Sequence, residues 1–243
     1  MTRLDYLKNT YLFQSSAKLI EILDTERGLA LVLDCTVFHP QGGGQPADTG
    51  IIKSDTGKFV VTDTRLNGNG IIYHFGEFTH GSINNGDTVR LEIDQNARIL
   101  HARLHSAGHL IDIAVRKAGL TNLIPTKGYH FTNGANVEYQ GSLENAGDWA
   151  ETIEKLSNQL VNDSIDIHAK QLNADQAASM SFSSPQGKTS RFVWLENNES
   201  DGCGCGGTHL NNSKEIGQII IRKIKTKKGV TKISYTLDLN HSE

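Results

Sequence analysis

The stretch "NARILHARLHSAGHLIDIAVRK", residues 96–117, is where the pattern of the chain changes. Its apolar residues, among them Leu104, Ala107, Leu110 and Ile111, recur at the three- and four-residue spacing of one helix face. The spacing predicts a long amphipathic helix at the start of the second part of the chain.

The sequence before this helix has the pattern of short β-strands joined by glycine-rich turns. Residues 17–35 contain two apolar runs that meet at "TERG", which predicts a hairpin. Three further short strands are predicted at "GKFVVTDT", "GIIYHF" and "DTVRLEID". Together they predict a small β-barrel-like domain over residues 1–94.

The sequence after the first helix mixes helices and strands. Residues 148–162 predict a second amphipathic helix, and residues 173–180 a short helix with Asn173 as N-cap. Further strands are predicted at "DIHAKQL", "RFVWLE", "EIGQIIIRKI" and "GVTKISYTLDL". The predicted fold class is α+β, with a second domain over residues 95–243.

Composition limits the class of protein. The 243 residues are 37% hydrophobic and 21% charged, which suits a packed globular core. No stretch reaches the roughly 18 apolar residues of a membrane span, so a soluble cytoplasmic protein without membrane contact is expected. The formal net charge of −3 argues against general affinity for nucleic acid but leaves room for a local basic patch.

Three histidines lie four residues apart on the first helix. Neighbours at this spacing share one helix face, about 6 Å apart, so two of the three imidazoles can reach one tetrahedral ion. The third then points past the ion, which leaves either His101 or His109 outside the pair with His105.

The stretch "DGCGCGGTHL", residues 201–210, supplies a second pair at the same spacing, Cys205 and His209. Three cysteines in the whole chain do not form a disulfide framework, and clustered Cys and His favour a metal site. Two such pairs give three nitrogens and one sulfur, which suits Zn²⁺. Cys203 is an alternative to Cys205, but the spacing to His209 favours Cys205.

Three motifs, in this order along the chain, resemble the editing domain of alanyl-tRNA synthetase and the AlaX-type alanyl-tRNA editing proteins. They are "DCTVFHPQGGGQPADTG" at 34–50, "HSAGHL" at 105–110 and "CGGTHL" at 205–210. The stretch "PTKGYHF…VEYQG" and the tail from residue 215 are also similar, so the resemblance covers nearly the whole chain. It implies the editing fold of the threonyl- and alanyl-tRNA synthetases, with Zn²⁺ held by His105, His109, Cys205 and His209.

The resemblance also implies roles for residues outside the metal set. Thr36 and Gln45 of the glycine-rich motif are expected near the aminoacyl group, and Thr36 is the candidate for a hydrogen bond to a serine hydroxyl. Thr126 and Lys127 are expected near the tRNA 3′ end. Thr126 stands where the synthetase has a glutamine, which puts that polar role in doubt, and His39 stands where a tyrosine is common.

The implied activity is hydrolysis of mischarged Ser-tRNA(Ala), with Gly-tRNA(Ala) as a second candidate substrate. No aminoacylation domain fits in 243 residues, so an editor that acts in trans, without ATP and without an obligate protein partner, is expected. Two alternatives stay open: a non-catalytic RNA-binding module stabilised by zinc, and a zinc hydrolase of small esters or amides.

A basic run near the C-terminal end offers a place for tRNA phosphates. The stretch "IIIRKIKTKKGVTK" brings six basic residues into a short segment, of which Lys225, Lys227 and Lys228 are the candidates for tRNA binding. A solvated hairpin tip would look the same in sequence.

Overall fold

The computed structural model describes residues 1–172, 191–195 and 202–238, and the helix predicted at 173–180 with its N-cap Asn173 lies outside them. In chain order the strands and helices are β1 Arg3–Leu4, β2 Gln14–Thr25, β3 Gly28–Leu33, β4 Cys35–Thr36, β5 Gly50–Lys53, β6 Gly57–Leu66, β7 Ile72–Gly81, β8 Thr88–Ile93, α1 Gln95–Lys117, β9 Ile124–Tyr129, β10 Asn136–Gln140, α2 Ala150–Asn162, β11 Ile167–Gln171, β12 Arg191–Leu195, β13 Cys203–Gly204, β14 Ile219–Lys227 and β15 Val230–Leu237.

Six strands of the N-terminal part form a closed antiparallel barrel in the order β2-β3-β7-β6-β5-β8. The predicted hairpin is confirmed, since β2 pairs with β3 up to Thr25 and Gly28. Leu19, Leu31 and Leu91 are fully buried in the barrel core. Closure pairs the edge strands with each other and therefore leaves the barrel itself without an open sheet edge.

The C-terminal part is built on a four-stranded antiparallel sheet in the order β14-β15-β10-β9. Helices α1 and α2 share a buried apolar cluster with one face of this sheet, where Ile111, Leu160, Ile233 and Tyr235 meet. A second, three-stranded sheet has the order β11-β12-β13. The predicted mixture of helices and strands is confirmed.

The elements differ from the predicted ones in several places, and barrel strand β5 is among those that the sequence pattern did not predict. The second helix begins with a 3-10 turn at Ala146–Trp149 and becomes an α-helix at Ala150. Strands β9 and β10 form a hairpin that the sequence pattern did not predict, because every residue of β9 but one is exposed and none shows apolar alternation. The division into domains at residue 94 stays a prediction. Neither described helix is both long and apolar enough to cross a membrane.

A buried ion pair joins α1 to the glycine-rich segment that follows β4. Arg98 and Asp48 are both buried, and Arg98 Nε donates to Asp48 Oδ2 at 3.0 Å. Arg98 Nη1 also donates to the carbonyl of Thr10 at 2.9 Å. Buried charges are tolerated when they are paired and hydrogen-bonded. This pair therefore fixes the glycine-rich segment and the N-terminal loop against the helix that carries the histidines.

Candidate metal centre and its cavity

Four potential metal ligands meet between α1 and the loop after β13. His105 and His109 lie one turn apart on the helix, and Cys205 and His209 come from the loop; their ligand atoms all lie within 4.8 Å of one another. Cys205 Sγ is 3.1 Å from His105 Nε2, and His109 Nε2 is 3.0 Å from His209 Nε2. The structure thus brings together the four residues that the sequence indicated.

The glycines of "CGGTH" allow this loop to approach the helix closely. A Cβ atom at Gly207 would lie 2.1 Å from His105 Cε1, closer than real side chains come. Arg191 in β12 braces the same loop, since its Nη1 donates to the carbonyl of Gly207 at 2.9 Å. Thr10 Oγ1 donates to the carbonyl of His209 at 2.6 Å. Close packing against His105 and the hydrogen bonds from Arg191 and Thr10 therefore fix the conformation of this glycine-rich loop.

Gln45 links the glycine-rich motif to the centre. Its side chain is fully buried, and its Oε1 lies 2.9 Å from His105 Nδ1 and accepts from the Thr208 N–H at 3.0 Å. Gln45 Nε2 donates to Thr208 Oγ1 at 2.9 Å, so the amide is oriented with its oxygen toward the ring. His105 must then carry its proton on Nδ1, which leaves the Nε2 lone pair for a metal ion.

The protonation states of the cluster suit a metal ion. Burial lowers the pKa of His109 to about 4 and puts the pKa values of His105 and His209 well below their ordinary value. All three imidazoles are therefore uncharged at neutral pH, and each has a nitrogen lone pair that can bind a metal ion. Burial raises the pKa of the Cys205 thiol, a tendency that a bound cation reverses. Three imidazole nitrogens and one sulfur in one cluster are a donor set that fits Zn²⁺.

His101 was the alternative to His109 in the sequence, and Cys203 was the alternative to Cys205. Both lie outside the cluster. His101 Nδ1 is among the buried polar atoms that have no hydrogen bond in the described part of the chain. Cys203 is exposed, and its Sγ is 3.7 Å from His109 Nδ1. Cys203 is therefore positioned to accept a hydrogen bond from the His109 ring, a contact of the kind that orients a metal ligand.

A cavity of about 570 Å³ opens beside the cluster. This volume falls within the range of small-ligand sites. His105, His109 and Cys205 contribute to its wall. The other residues around it include Gly43, Gly44, Gly108, Thr126, Lys127, Gly128, His130 and Cys203. Two residues that the sequence associated with substrate, Thr126 and Lys127, thus line the same cavity as three of the four potential ligands.

Thr36 is placed differently from this group. It is fully buried and does not line the cavity. His74 Nδ1 lies 3.0 Å from the carbonyl of Leu31 and donates to it, so His74 Nε2 accepts from Thr36 Oγ1 at 2.8 Å. Thr36 Oγ1 also accepts from the Phe38 N–H at 3.0 Å. Its hydroxyl is already engaged within the barrel part, and its contact with substrate stays a prediction.

The basic residues of the tail form part of a row across the four-stranded sheet. Lys225 pairs with Lys232, Lys232 with Glu138, and Glu138 with Lys127 in the strand register. Lys232 Nζ forms an ion pair with Glu138 at 3.1 Å. Because directly paired residues lie on the same face of a sheet, this row leads from the β14–β15 hairpin to the cavity. Lys227 and Lys228 are exposed at the hairpin end of the row.

Sequence reasoning did not single out His130, although its motif "GYHF" was noted. The ring of His130 stacks on His105 with 4.4 Å between centroids. Burial, and then the neighbouring His109, lower the pKa of His130 to about 3. A lone histidine after an irregular edge strand carries no spacing signal, so only the family motif could have drawn attention to it.

Comparisons with known proteins agree with the motifs. Residues 4–97 match the family model described as tRNA synthetases class II (A). The alanyl-tRNA editing protein AlaX-L of Pyrococcus horikoshii is 27% identical over 95% of this chain and 57% of that protein. The alanine–tRNA ligases of Methanococcus aeolicus and Clostridioides difficile are each 30% identical, over 98% and 88% of this chain.

The chain spans about half the length of AlaX-L and about a quarter of the two ligases, 26% and 24%. The similarity to AlaX-L and to the Methanococcus ligase nevertheless runs over almost all of this chain and includes both halves of the candidate metal centre. This chain is therefore similar, over almost its whole length, to an alanyl-tRNA editing protein and to one region of the alanine–tRNA ligases.

Proposed function

We propose that the protein hydrolyses the ester between tRNA(Ala) and a wrongly attached amino acid, with Ser-tRNA(Ala) as the main substrate and Gly-tRNA(Ala) as a second one. The observation that carries the proposal is the cluster of three histidines and one cysteine beside a cavity of about 570 Å³. Relatives whose names refer to alanyl-tRNA editing and to alanine–tRNA ligation support tRNA(Ala) as the partner. The protein would act in trans, on tRNA charged by a separate enzyme, in the cytoplasm and without ATP.

In this proposal His105, His109, Cys205 and His209 hold one Zn²⁺. A zinc ion bound there would supply Lewis-acid stabilisation of the ester oxygen, or a water with a lowered pKa. Gln45 contributes by holding His105 with Nε2 toward the cluster. The glycines at the cavity wall leave room for the aminoacyl group because none of them carries a side chain into it.

The tRNA would be bound by the lysine row and the cavity rim. Lys127 lies at the cavity and Lys225, Lys227 and Lys228 lie at the far end of the row, so the row would follow the phosphates away from the 3′ end. Thr126 Oγ1 donates to the carbonyl of Glu138 at 3.0 Å, which leaves its oxygen free to accept from the tRNA.

Thr36 stays in the proposal as a residue that acts on the aminoacyl group. A direct contact would require its hydroxyl to exchange the hydrogen bond with His74 for one with the substrate. An indirect effect requires no exchange, because the bond from Phe38 to Thr36 fixes the start of the motif that also contains Gln45.

Deacylation of Ser-, Gly- and Ala-tRNA(Ala) by the purified zinc-loaded protein tests the proposal. We expect Ser-tRNA(Ala) to be hydrolysed fastest and Ala-tRNA(Ala) to be spared, and His105→Ala to abolish the activity. Binding of tRNA without hydrolysis would favour a non-catalytic RNA-binding module. Hydrolysis of amino-acid methyl esters at rates equal to those of charged tRNA would favour a hydrolase of small esters.

A further inference from the structure

His130 carries a hydrogen-bond relay that ends at the cavity wall. Its Nδ1 lies 2.7 Å from Tyr235 Oη, and Tyr235 Oη lies 2.8 Å from the carbonyl of Leu104. A carbonyl oxygen can only accept, so the single phenolic proton goes to Leu104 and His130 Nδ1 must be the donor to Tyr235. The relay therefore fixes the tautomer of His130 with the proton on Nδ1 and a lone pair on Nε2.

The Nε2 atom of His130 has no hydrogen bond to any residue that the structure describes. The Nε2 atom is nevertheless not fully buried, although the residue as a whole is only 5% exposed. His130 lines the cavity beside the metal centre. A neutral hydrogen-bond acceptor is thus held in a fixed tautomer and is reachable from the cavity.

Three glycines make the space for this ring. A Cβ atom would lie 2.5 Å from His130 Cε1 if placed on Gly108, 2.3 Å from Nε2 on Gly128 and 3.3 Å from Cδ2 on Gly44. All three glycines line the cavity with His130. Larger residues at Gly108 or Gly128 would displace the ring from its position against His105, so the site is built around the imidazole.

We propose that His130 Nε2 accepts a hydrogen bond from the side-chain hydroxyl of a seryl group on tRNA(Ala), which makes His130 a specificity-determining residue. This inference rests on the proposed function. A site that binds a substrate hydroxyl rejects analogues without one, because its buried polar group is then left unpaired. Seryl groups present this donor, whereas glycyl and alanyl groups do not.

Two observations favour His130 for this role and the hydroxyl as its partner. The hydroxyl of Thr36 is engaged with His74 and Phe38, whereas His130 Nε2 is not engaged with any described residue. The α-ammonium group is common to seryl, glycyl and alanyl esters and cannot distinguish them. The cation of Lys127 at the same cavity also favours a neutral donor over an ammonium group.

The test compares Ser-tRNA(Ala) with Gly- and Ala-tRNA(Ala) for three variants of the zinc-loaded protein and one control variant. His130→Phe keeps a flat ring but removes the acceptor. His130→Gln keeps an acceptor near the position of Nε2. Tyr235→Phe removes the relay and frees the tautomer, and Tyr73→Phe, in barrel strand β7, is its matched control. Zinc content and melting temperature are measured for every variant.

For His130→Phe we expect the ratio of the Ser- to the Gly-tRNA(Ala) rate to fall about ten-fold or more, as loss of one partner in a buried hydrogen bond requires. His130→Gln should keep part of the wild-type ratio, Tyr235→Phe should lower it, and Tyr73→Phe should leave it unchanged. An equal loss on all substrates, or an unchanged ratio, would overturn the assignment. Should His130→Phe not fold, Tyr235→Phe and His130→Gln decide by the same ratio. A wild-type protein that hydrolyses none of the charged tRNAs would refute the proposed function instead.

Discussion

Gln45 Oε1 lies 2.9 Å from His105 Nδ1, although the two residues are 60 positions apart in the chain. Through this contact the glycine-rich motif determines which nitrogen of His105 faces the candidate metal centre. The motif is held in place in turn by the buried pair of Arg98 and Asp48. The motif and the histidine helix therefore act as one unit, even though the first lies between barrel strands.

Gln45→Leu should weaken zinc binding about ten- to a hundred-fold, as loss of a hydrogen bond to a ligating histidine typically does. Leu has a similar volume but cannot accept from His105, so the ring loses its fixed orientation. Competition with a chelator of known zinc affinity measures the effect. Gln41→Leu is the matched control, because Gln41 is exposed in the same motif. Equal affinities of the two variants would show that the Gln45 contact does not orient the ligand.

Cys205→Ala should remove most of the zinc from the purified protein, which should otherwise contain about one ion per chain. Cys203→Ala should keep the ion, because Cys203 is not one of the four clustered ligands and its Sγ lies 3.7 Å from His109 Nδ1. Elemental analysis of the dialysed proteins measures both. The ligand assignment is wrong if Cys203→Ala empties the site and Cys205→Ala leaves it filled.

Local patterns in the sequence predicted the parts of this structure that depend on local spacing. The helix at 95–117 follows from apolar periodicity, and the meeting of His105 with His109 follows from their position on one helix face. Strand β9 has no apolar alternation and is stabilised by pairing with β10 at the sheet edge, so its sequence could not indicate it.

Contacts between distant segments were beyond sequence reasoning where no paired motif indicated them. Thr36 in β4 lies within hydrogen-bond distance of His74 in barrel strand β7, and neither residue carries a sequence signal for the other. The same holds for His130 and Tyr235, which are 105 positions apart. A single sequence shows which residue types are present but not which pairs the sheet register brings into contact.

Replacing Lys225, Lys227 and Lys228 together by Ala should weaken tRNA binding and flatten its dependence on salt. Each phosphate contact that is lost lowers the slope of log affinity against log salt by about 0.7–0.9, so the three contacts account for roughly two to three units. Filter binding over a series of salt concentrations measures the slope. Zinc content should not change. The matched control replaces Lys58, Lys155 and Lys214, which are exposed elsewhere. If both triple variants keep the wild-type slope, the hairpin only faces solvent.

Thr36→Val should lower the free energy of unfolding by about 1–3 kcal/mol, because His74 Nε2 is left buried without its donor. The double variant Thr36→Val/His74→Leu removes both partners and should be more stable than the sum of the single effects predicts. Urea unfolding of the four proteins measures the coupling.

We expect Thr36→Val to slow Ser- and Gly-tRNA(Ala) deacylation by the same factor. A loss confined to Ser-tRNA(Ala) would instead support the direct contact with the serine hydroxyl.

The stability of the protein should fall as the pH drops from about 6.5 to about 4, and His74 should account for part of the fall. Burial lowers the pKa of His74 to about 4 in the folded state. In the unfolded chain it titrates near its ordinary value of about 6.5. Between these two values the unfolded state binds a proton that the folded state does not, so acid favours unfolding. Above about pH 6.5 both states are neutral and this contribution to the pH dependence vanishes.

The expected size of the His74 effect is about 3 kcal/mol over this interval, at 1.36 kcal/mol for each unit of pKa difference. Urea unfolding at several pH values should therefore give a steeper loss for Thr36→Val than for Thr36→Val/His74→Leu, since the two proteins differ at His74 alone. Release of metal at low pH acts on both proteins alike and cancels in the comparison. Identical pH profiles of the two variants would show that His74 is not held neutral in the barrel. The conclusion that burial lowers the pKa of His74 would then be wrong.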